Sequence, residues 1–451
     1  MNMRRIPAVL TALFALATPG IRAQGRPATL RTTPSPLAAE LDRRVAGAEA
    51  DLVAWRRHLH AHPELSNREV ETARFIAEKL RSFGLEPRTG VARTGVVALI
   101  KGGRPGPVVA LRADMDGLPV KEEVDLPFAS RATGEFEGRP VPVMHACGHD
   151  THMAILLAAA RVLTEMRAQI PGTVKLIFQP AEEGAVAAEQ PAGAEKMVLE
   201  GVLDDPKVDA IFGLHAWALL ESGALGWRSG PFMAAADRFE IAVEGRQTHG
   251  STPWQGIDPI VAAAQIVTAL QTIVSRHVEL VKEPAVVTVG QMEAGIRSNI
   301  IPDRARLVGT IRTFDEGMRE AIHARVKQIA ENVAASAGAR AVVTIERGYP
   351  VTVNSPDLTA RMGPTLERVA PGRTAELRKV TGAEDFSYFQ RQVPGFFFFL
   401  GVTPPDRLAR VESNHSPRFY VDEAALTTGV RALLHLTADY LHGTAAPARS
   451  R

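Results

Sequence analysis

The stretch HACGHD, residues 145–150, contains the only cysteine of this 451-residue chain and comes directly before an apolar segment with helical periodicity. Cys147 and His149 are two positions apart across a glycine, and residues so spaced do not share a helix face, so we expect them in a loop or at a strand end. Asp150 is expected to cap the helix that follows. A thiolate and an imidazole this close are typical zinc ligands, although a buried structural cysteine beside hydrogen-bonded histidines would give the same short pattern.

The composition is that of an ordinary globular protein, with 45% hydrophobic and 23% charged residues, and the length suffices for two or three domains. Residues 1–23 combine two early arginines, an apolar run and a small residue before Gln24, which predicts a secretory signal peptide and a periplasmic or secreted protein. The apolar run is too short for a membrane anchor. A single cysteine cannot form an internal disulfide in an exported protein, which favours metal binding or nucleophilic chemistry for Cys147.

Charge argues against nucleic acid as a partner. The signal peptide holds three arginines and no acid, so its removal leaves 49 Lys and Arg against 50 Asp and Glu. Aromatic residues are only 6% of the chain, and no run of basic residues is interleaved with them.

The alternation of helical and apolar strand patterns predicts a doubly wound α/β catalytic domain. We expect a flexible lead at 24–36, the first part of the catalytic domain at 37–231, and its second part at 347–441, followed by a tail at 442–451. Between the two parts, residues 232–346 follow a β-α-β-β-α-β pattern, which predicts an inserted ferredoxin-like α+β domain.

Acidic residues and a histidine stand directly after three of the apolar runs in the first part. They are Asp114 and Asp116, Glu182 and Glu183, and His215. The carboxyl ends of strands in an open α/β sheet form one edge, where ligands bind, so these side chains are expected to meet there. Three further histidines, His58, His60 and His62, lie at the end of the first helix, where we expect solvated or capping roles.

The adjacent Glu182 and Glu183 suit metal-assisted hydrolysis. On a loop, one carboxylate can bind a metal while the other faces a water molecule. A metal lowers the pKa of its water towards ~7 and polarises the scissile carbonyl. The free carboxylate can then accept the proton and pass it to the leaving amine.

Taken together, these motifs resemble the M20 metallopeptidases, and most closely their amidohydrolase branch, which includes hippurate hydrolases, auxin-conjugate hydrolases and N-acyl-amino-acid deacylases. The resemblance covers nearly the whole chain after the signal peptide, in the family's order. The motifs that carry it are RADMD at 112–116, HACGHD at 145–150, QPAEEG at 179–184, GLH at 213–215, THG at 248–250 and NHSP at 414–417.

The resemblance implies a dinuclear metal site of two divalent ions, manganese or zinc. In other branches a bridging carboxylate stands where this chain has its cysteine. The implied ligands are Cys147, His149, Glu183, His215 and His415.

The resemblance also implies roles for the surrounding residues. Glu182 would be the general base, and Asp116 would orient a metal ligand. His249 would reach from a lid into the partner subunit's active site, and Asn299 would hold the substrate carboxylate. The inserted domain would then serve as lid and homodimer interface. Residues 185–191 depart from the shorter glycine-rich turn of many relatives, so the pocket beside the ligands is expected to differ.

The leading hypothesis is therefore an exported metal-dependent amidohydrolase that cleaves the amide of small N-acyl amino acids, such as N-acetyl or N-benzoyl conjugates. A dipeptidase or carboxypeptidase of the same fold is the alternative, for which Glu384 is the candidate partner of a free amino group. A Cys147 nucleophile with His149 as base would leave the acidic motifs unexplained. A non-catalytic metal-binding protein would have no use for Glu182.

Overall fold

The computed structural model describes residues 34–443. The predicted signal peptide, most of the predicted lead and residues 444–451 of the predicted tail lie outside this range. The helices are α1 (Ala38–Ala61), α2 (Val70–Ser82), α3 (His149–Glu165), α4 (Gly193–Leu199), α5 (Pro259–Thr272), α6 (Glu316–Ser336), α7 (Pro356–Val369), α8 (Ser387–Gln390) and α9 (Leu426–Gly443).

The strands alternate with these helices through most of the chain. They are β1 (Arg88–Val91), β2 (Gly95–Lys101), β3 (Arg104–Asp114), β4 (Thr133–Phe136), β5 (Arg139–Pro142), β6 (Pro171–Gln179), β7 (Ala210–Glu221), β8 (Leu225–Trp227), β9 (Gly230–Met233), β10 (Ala235–Glu244), β11 (Thr248–His249), β12 (Ala285–Ala294), β13 (Ile300–Ile301), β14 (Arg304–Thr313), β15 (Arg340–Arg347), β16 (Thr352–Asn354), β17 (Thr374–Glu376) and β18 (Gly395–Thr403).

The large sheet has eight strands in the order β1-β2-β6-β3-β7-β18-β8-β17. Its centre is parallel, with β6, β3, β7 and β18 running side by side, and its two ends include antiparallel pairs. Both faces of the central strands are covered, so the sequences of these strands are continuous apolar runs. All nine residues of β18 are buried.

Helices cover both faces of this sheet. On one face, α1, α3, α7 and α9 pack together with the sheet in one apolar core, and α3 is buried along almost its whole length. α1 contributes a stripe of buried residues at helical spacing, which includes Leu41, Val45, Leu52 and Leu59. On the other face, a smaller core includes residues of α4 and α8. The mixed α/β class predicted from the sequence is therefore confirmed.

A second, four-stranded antiparallel sheet has the order β12-β14-β10-β15 and is covered by α5 and α6. In chain order these elements run β-α-β-β-α-β. α5 begins where the Asp258 carboxylate accepts the backbone N–H groups of Ile260 and Val261, with Pro259 in the first turn. The two ends of this unit are held together by Asp237, near the start of β10. Its carboxylate accepts from the guanidinium of Arg319 and from the backbone N–H of Gly348, which follows β15.

Within the described chain, the stretch Pro259–His277 is long and apolar enough to cross a membrane by length and composition, with a mean hydropathy of 1.2. Its buried residues, among them Ala262, Ile266 and Leu270, pack on the small sheet. We therefore interpret it as a helix of that unit that packs on the sheet along one face and is exposed on the other.

Two local predictions are wrong. α3 begins at His149 after Gly148, which has the left-handed φ of 92°, and Asp150 does not cap it; the Asp150 carboxylate instead binds Arg56 at 2.8 Å and His60 at 2.9 Å. His60 is also buried, whereas a solvated or capping role was expected, and its second ring nitrogen lies 3.0 Å from Glu122. With these three groups buried together, removing one partner would leave a buried charge uncompensated.

Candidate metal centre

The site lies where two neighbouring parallel strands separate. β3 and β7 pair as far as Arg112 and Gly213, and β7 then continues alongside β18. The prediction that His215 directly follows its strand is wrong. His215 lies inside β7, two residues past the last residue that pairs with β3. Asp116 follows the end of β3 by two residues, so its side chain and that of His215 border the same opening.

Cys147 and His149 enter this opening from the loop before α3 and from its first turn. Gly148 joins them, and a β-carbon on Gly148 would lie 2.8 Å from the side chain of Ala216 on β7. The positive φ and this close approach together require glycine. The backbone here therefore brings a thiol and an imidazole onto the strand that carries His215.

The histidines are oriented so that Nε2 is left for a ligand. His215 donates from Nδ1 to the carbonyl of Ala216 at 2.7 Å, and burial, followed by the neighbouring His152, holds its pKa well below the usual value. His149 donates from Nδ1 to Asp116 at 3.2 Å. Both rings thus have the second hydrogen bond that is usual for metal-binding histidines.

The five predicted ligands converge around the sulfur of Cys147. Nε2 of His215 lies 3.3 Å from this sulfur and Nε2 of His415 lies 3.2 Å from it. His415 has the left-handed φ of 70° and lies 3.2 Å from a Glu183 oxygen. Two donor sets share the cysteine, one completed by two histidines and the other by a histidine and a carboxylate. These sets are Cys147, His149 and His215, and Cys147, Glu183 and His415.

The donor atoms fit divalent metal ions. Nε2 of His149 is buried without a hydrogen-bond partner, although carboxylate oxygens of Glu182 and Glu183 lie 3.8 and 3.9 Å away. Burial, followed by the charge of Glu183, raises the pKa of the Cys147 thiol well above its usual value. A thiolate here therefore requires a cation, which argues against a free nucleophilic thiolate. Sulfur and imidazole donors suit zinc, while the carboxylate also admits manganese.

Glu182 lies beside both donor sets without being needed to complete either. The backbone N–H of Glu182 donates to one Asp116 oxygen at 3.1 Å, and the backbone carbonyl of Glu182 accepts from the Tyr349 hydroxyl at 2.6 Å. The backbone N–H of Glu183 donates to the other Asp116 oxygen at 3.0 Å. Burial, followed by the carboxylates of Glu384 and Glu183, raises the pKa of Glu182 well above its usual value. A carboxylate with a raised pKa, held on a fixed loop, is suited to accept and return a proton.

A buried charged network behind Glu182 was not predicted from the sequence. The Arg112 guanidinium is fully buried and donates to Asp114, Glu384 and Asp385 at 2.7 to 2.9 Å. Glu384, the candidate partner of a free amino group, is therefore already engaged by Arg112. A run such as RADMD shows where the arginine lies, but its partners are 272 and 273 residues away in the chain.

His152 was also missed as a functional candidate. It lies one helical turn after His149, donates from Nδ1 to Asp114 at 2.5 Å and accepts the backbone N–H of Ala216 at 2.7 Å. His152 thus joins β3 to β7 across the opening, next to His215. Since both of its nitrogens are occupied, it supports the site and does not serve as a ligand.

Two predicted residues lie elsewhere. His249, on β11, is exposed, and its Nδ1 accepts from the Ser251 hydroxyl at 2.7 Å. Asn299 is exposed beside it, with its backbone carbonyl bound to the N–H of Gly250. Both belong to the smaller unit, which contains the four-stranded sheet with α5 and α6. Neither contacts the predicted ligands of its own chain.

Arg312 of β14 lines a cleft between the two units and was not singled out from the sequence. Ala181, Gly184 and Tyr349 line the same cleft, so it adjoins the Glu182 loop. Burial lowers the pKa of Arg312, and no carboxylate of residues 34–443 forms an ion pair with it. No sequence signal distinguished it, because β14 also contains Arg304 and Arg306.

Comparison with known proteins gives consistent results. Residues 110–439 match the profile described as peptidase family M20/M25/M40. The chain is 43% identical to an N-acyl-L-amino acid amidohydrolase of Geobacillus stearothermophilus, over 72% of this chain and 83% of that protein. It is 41% identical to thermostable carboxypeptidase 2 of Saccharolobus solfataricus, over 84% and 93%. A solved dinuclear metal-binding M20 peptidase from Bacillus subtilis superposes with a TM-score of 0.73 at 37% identity, over 88% and 99%.

Proposed function

The chain belongs to peptidase family M20/M25/M40, and on this premise we propose that it is a metal-dependent amidohydrolase that cleaves the amide bond of N-acyl amino acids. The observation that carries the proposal is the convergence of two donor sets on Cys147 with an uncommitted carboxylate, Glu182, beside them. Cys147, His149, Glu183, His215 and His415 would hold two divalent ions. When bound, these ions would polarise the scissile carbonyl and lower the pKa of water.

The chain's own residues supply the proton chemistry. Glu182 accepts the proton of the attacking water and returns it to the leaving nitrogen. Asp116 keeps Glu182 and His149 in fixed positions through the three contacts described above. Burial of this edge excludes bulk water and strengthens each electrostatic contact.

Arg312 provides a reason for an amino-acid substrate. A half-buried guanidinium without an ion-pair partner among residues 34–443, in a cleft that Ala181 and Gly184 also line, suits the free carboxylate that every N-acyl amino acid carries. Arg312→Gln is expected to raise KM for N-acyl amino acids by about tenfold or more, with a smaller effect on the corresponding amides, which lack that charge. Asn299 is retained as a second carboxylate ligand from the smaller unit.

We further infer that the smaller unit is a lid and a homodimer interface. β12 is an edge strand whose outer side pairs with no strand of residues 34–443, and α5 presents the exposed side chains of Ile260 and Val261 beside it. An open strand edge next to an apolar helix face is a surface that a second copy would cover. In such a dimer the exposed His249 would reach the partner's active site, which fits its distance from the ligands of its own chain.

A carboxypeptidase activity is the second candidate, since one of the similar proteins bears that name. Its substrates would present the same carboxylate to Arg312. Export to the periplasm or the medium is also proposed, on the composition of residues 1–23 alone.

The first experiment is release of free amino acid from a panel of N-acyl amino acids and short peptides, before and after chelation and re-addition of manganese or zinc. Hydrolysis of the acyl amino acids that stops on chelation and returns with metal supports the proposal. Hydrolysis confined to peptides favours the carboxypeptidase. Activity that survives chelation but is lost on alkylation of Cys147 contradicts both.

A further inference from the structure

A buried glutamate outside the ligand set holds the loop of the proposed base from behind. Glu69 is fully buried directly before α2, and one of its carboxyl oxygens accepts the backbone N–H of Ala181 at 2.8 Å. The other oxygen is hydrogen-bonded to the hydroxyl of Thr94, which precedes β2, at 2.6 Å. Glu69 therefore joins the start of α2 and the turn before β2 to the residue that precedes Glu182.

This contact lies at a strained point of the loop. Ala181 has the left-handed φ of 52°, although it is not glycine, and its side chain is buried. A residue with a β-carbon keeps this conformation only where its surroundings enforce it. Because φ at Ala181 sets the direction in which the chain continues to Glu182, the hydrogen bond from Ala181 to Glu69 acts on the residue that orients the base.

A role in starting α2 does not account for the Glu69 side chain. This side chain makes no hydrogen bond to the first turn of the helix. The carboxylate of Glu64 accepts there instead, from the backbone N–H groups of Glu71 and Thr72 at 3.2 and 2.8 Å. Burial of a carboxyl group is unfavourable unless hydrogen bonds compensate it, and the loop supplies one of the two that Glu69 has.

The residues before Glu69 contact the other end of the same loop. Asn67 and Arg68 donate from their side chains to the carboxylate of Glu189 at 2.9 and 2.7 Å. Together with Glu69, they hold residues 181–189 at both ends. A catalytic group on a loop held in this way is in position before the substrate binds.

We propose that Glu69 is a positioning residue for the reaction: it fixes the backbone at Ala181, and thereby the carboxylate of Glu182, in the orientation that proton transfer requires. The inference rests on the proposed function, in which Glu182 is the base. Burial, followed by the charge of Asp116, raises the pKa of Glu69 to about 8, so the group is largely neutral at pH 7. A glutamine, which has the same length and no charge, should therefore make the same contacts.

The test is a pair of substitutions with opposite chemistry, measured with metal added on the N-acyl amino acid that the wild type hydrolyses best. Glu69→Gln keeps the length of the side chain and removes the acid, and its kcat should stay close to that of the wild type. Glu69→Asp keeps the acid but is one methylene too short to span Ala181 and Thr94. Its kcat should fall by about tenfold or more, with a much smaller change in KM, because a misplaced base acts on the chemical step. Glu78→Asp, the same change at an exposed position of α2, is the control.

Hydrogen exchange of the metal-free protein gives a readout that does not depend on activity. In Glu69→Asp the backbone amides of residues 181–189 should exchange faster, while those of β3 and α3 stay as in the wild type. Faster exchange throughout the chain would show only a loss of global stability and would overturn the proposal. Metal affinity should fall less than kcat, because four of the five proposed ligands lie outside this loop.

The remaining outcomes are also decisive. Loss of kcat in Glu69→Gln would show that the acid itself is required and would overturn the proposal, as would a normal kcat in Glu69→Asp. If Glu69→Asp does not fold, Thr94→Val replaces it, since this variant removes only the hydroxyl bound to Glu69; an unchanged kcat there contradicts the proposal. If the wild type hydrolyses no N-acyl amino acid, the proposed function fails, whereas the exchange of residues 181–189 still decides whether Glu69 holds the loop.

Discussion

Asp116 is hydrogen-bonded to His149 and to the loop that carries Glu182 at the same time. One Asp116 oxygen lies 3.2 Å from Nδ1 of His149, and its two oxygens accept the backbone N–H groups of Glu182 and Glu183. A single carboxylate thus sets the positions of His149, a proposed metal ligand, and of the Glu182–Glu183 loop relative to each other.

Asp116→Ala is expected to lower metal affinity by about 10- to 100-fold, because His149 loses the partner that orients its ring. Metal titration of the purified variant measures this. Asp116→Asn keeps the shape and one acceptor oxygen, so its loss should be smaller. Unchanged affinity in the alanine variant would show that the ring is held by packing alone.

Glu182→Gln should bind metal as the wild type does yet lose about 10²-fold or more in kcat, since a glutamine cannot accept the proton. Metal content and kcat are measured on the same preparation. Glu86→Gln, an exposed residue of the catalytic domain, serves as control. Near-normal kcat would remove Glu182 from the role of base.

His152→Ala leaves a buried backbone N–H at Ala216 and one Asp114 oxygen without their partner. The free energy of unfolding should fall by about 1–3 kcal/mol, the usual cost of an unsatisfied buried group. Metal affinity should fall as well, because His215 stands next to the released N–H. Denaturant unfolding and metal titration check this, with His62→Ala as the exposed histidine control. A loss of stability with unchanged metal affinity would restrict His152 to a structural role.

His249→Ala should lower kcat without releasing metal. If His249 acts in the partner's active site, mixing this variant with Glu182→Gln lets heterodimers form with one intact site. Random exchange of subunits would then restore about a quarter of the wild-type activity. Loss of metal in the single variant, or no recovery in a mixture whose subunits are seen to exchange, would contradict the lid assignment.

His60 should make stability depend on pH. Although burial favours the neutral ring, Asp150 and Glu122 raise the pKa of His60 above its ordinary value of 6.5. The stabilisation by the charged ring is then present in full below the unfolded-state pKa and is lost as pH rises through the higher folded-state pKa. His60→Gln should therefore destabilise the metal-free protein more at about pH 6 than at about pH 9. The reverse order in denaturant unfolding would show that His60 is buried neutral.

Much of the architecture was accessible from the sequence because it depends on local patterns. The β-α-β-β-α-β order expected between 232 and 346 is found in β10, α5, β12, β14, α6 and β15, since each element is marked by its own apolar period. Asp116, Glu182 and Glu183 follow their strands as expected because strand ends are marked by the end of an apolar run. His215 was misplaced because β7 continues, paired with β18, beyond the point where its partner β3 ends.

Contacts between distant segments have no such local signature. Nothing near Arg112 indicates that Glu384 and Asp385 will neutralise it, and nothing near His60 indicates Glu122. A buried arginine and a surface arginine look the same in a sequence. Sequence prediction therefore fails for the buried polar groups behind the site, whereas the five predicted ligands, which were named through their motifs, do lie close together.

The ligand set is divided by the inserted unit: Cys147 and His415, whose side chains touch, are 268 residues apart. During synthesis, four ligands leave the ribosome well before the fifth, and the second donor set cannot close until the last strand and its following loop have been made. Contacts between such distant segments form slowly, so the second donor set is completed later than the first. If metal binds only the completed second set, the metal supply in the compartment where folding ends should influence which ion occupies it.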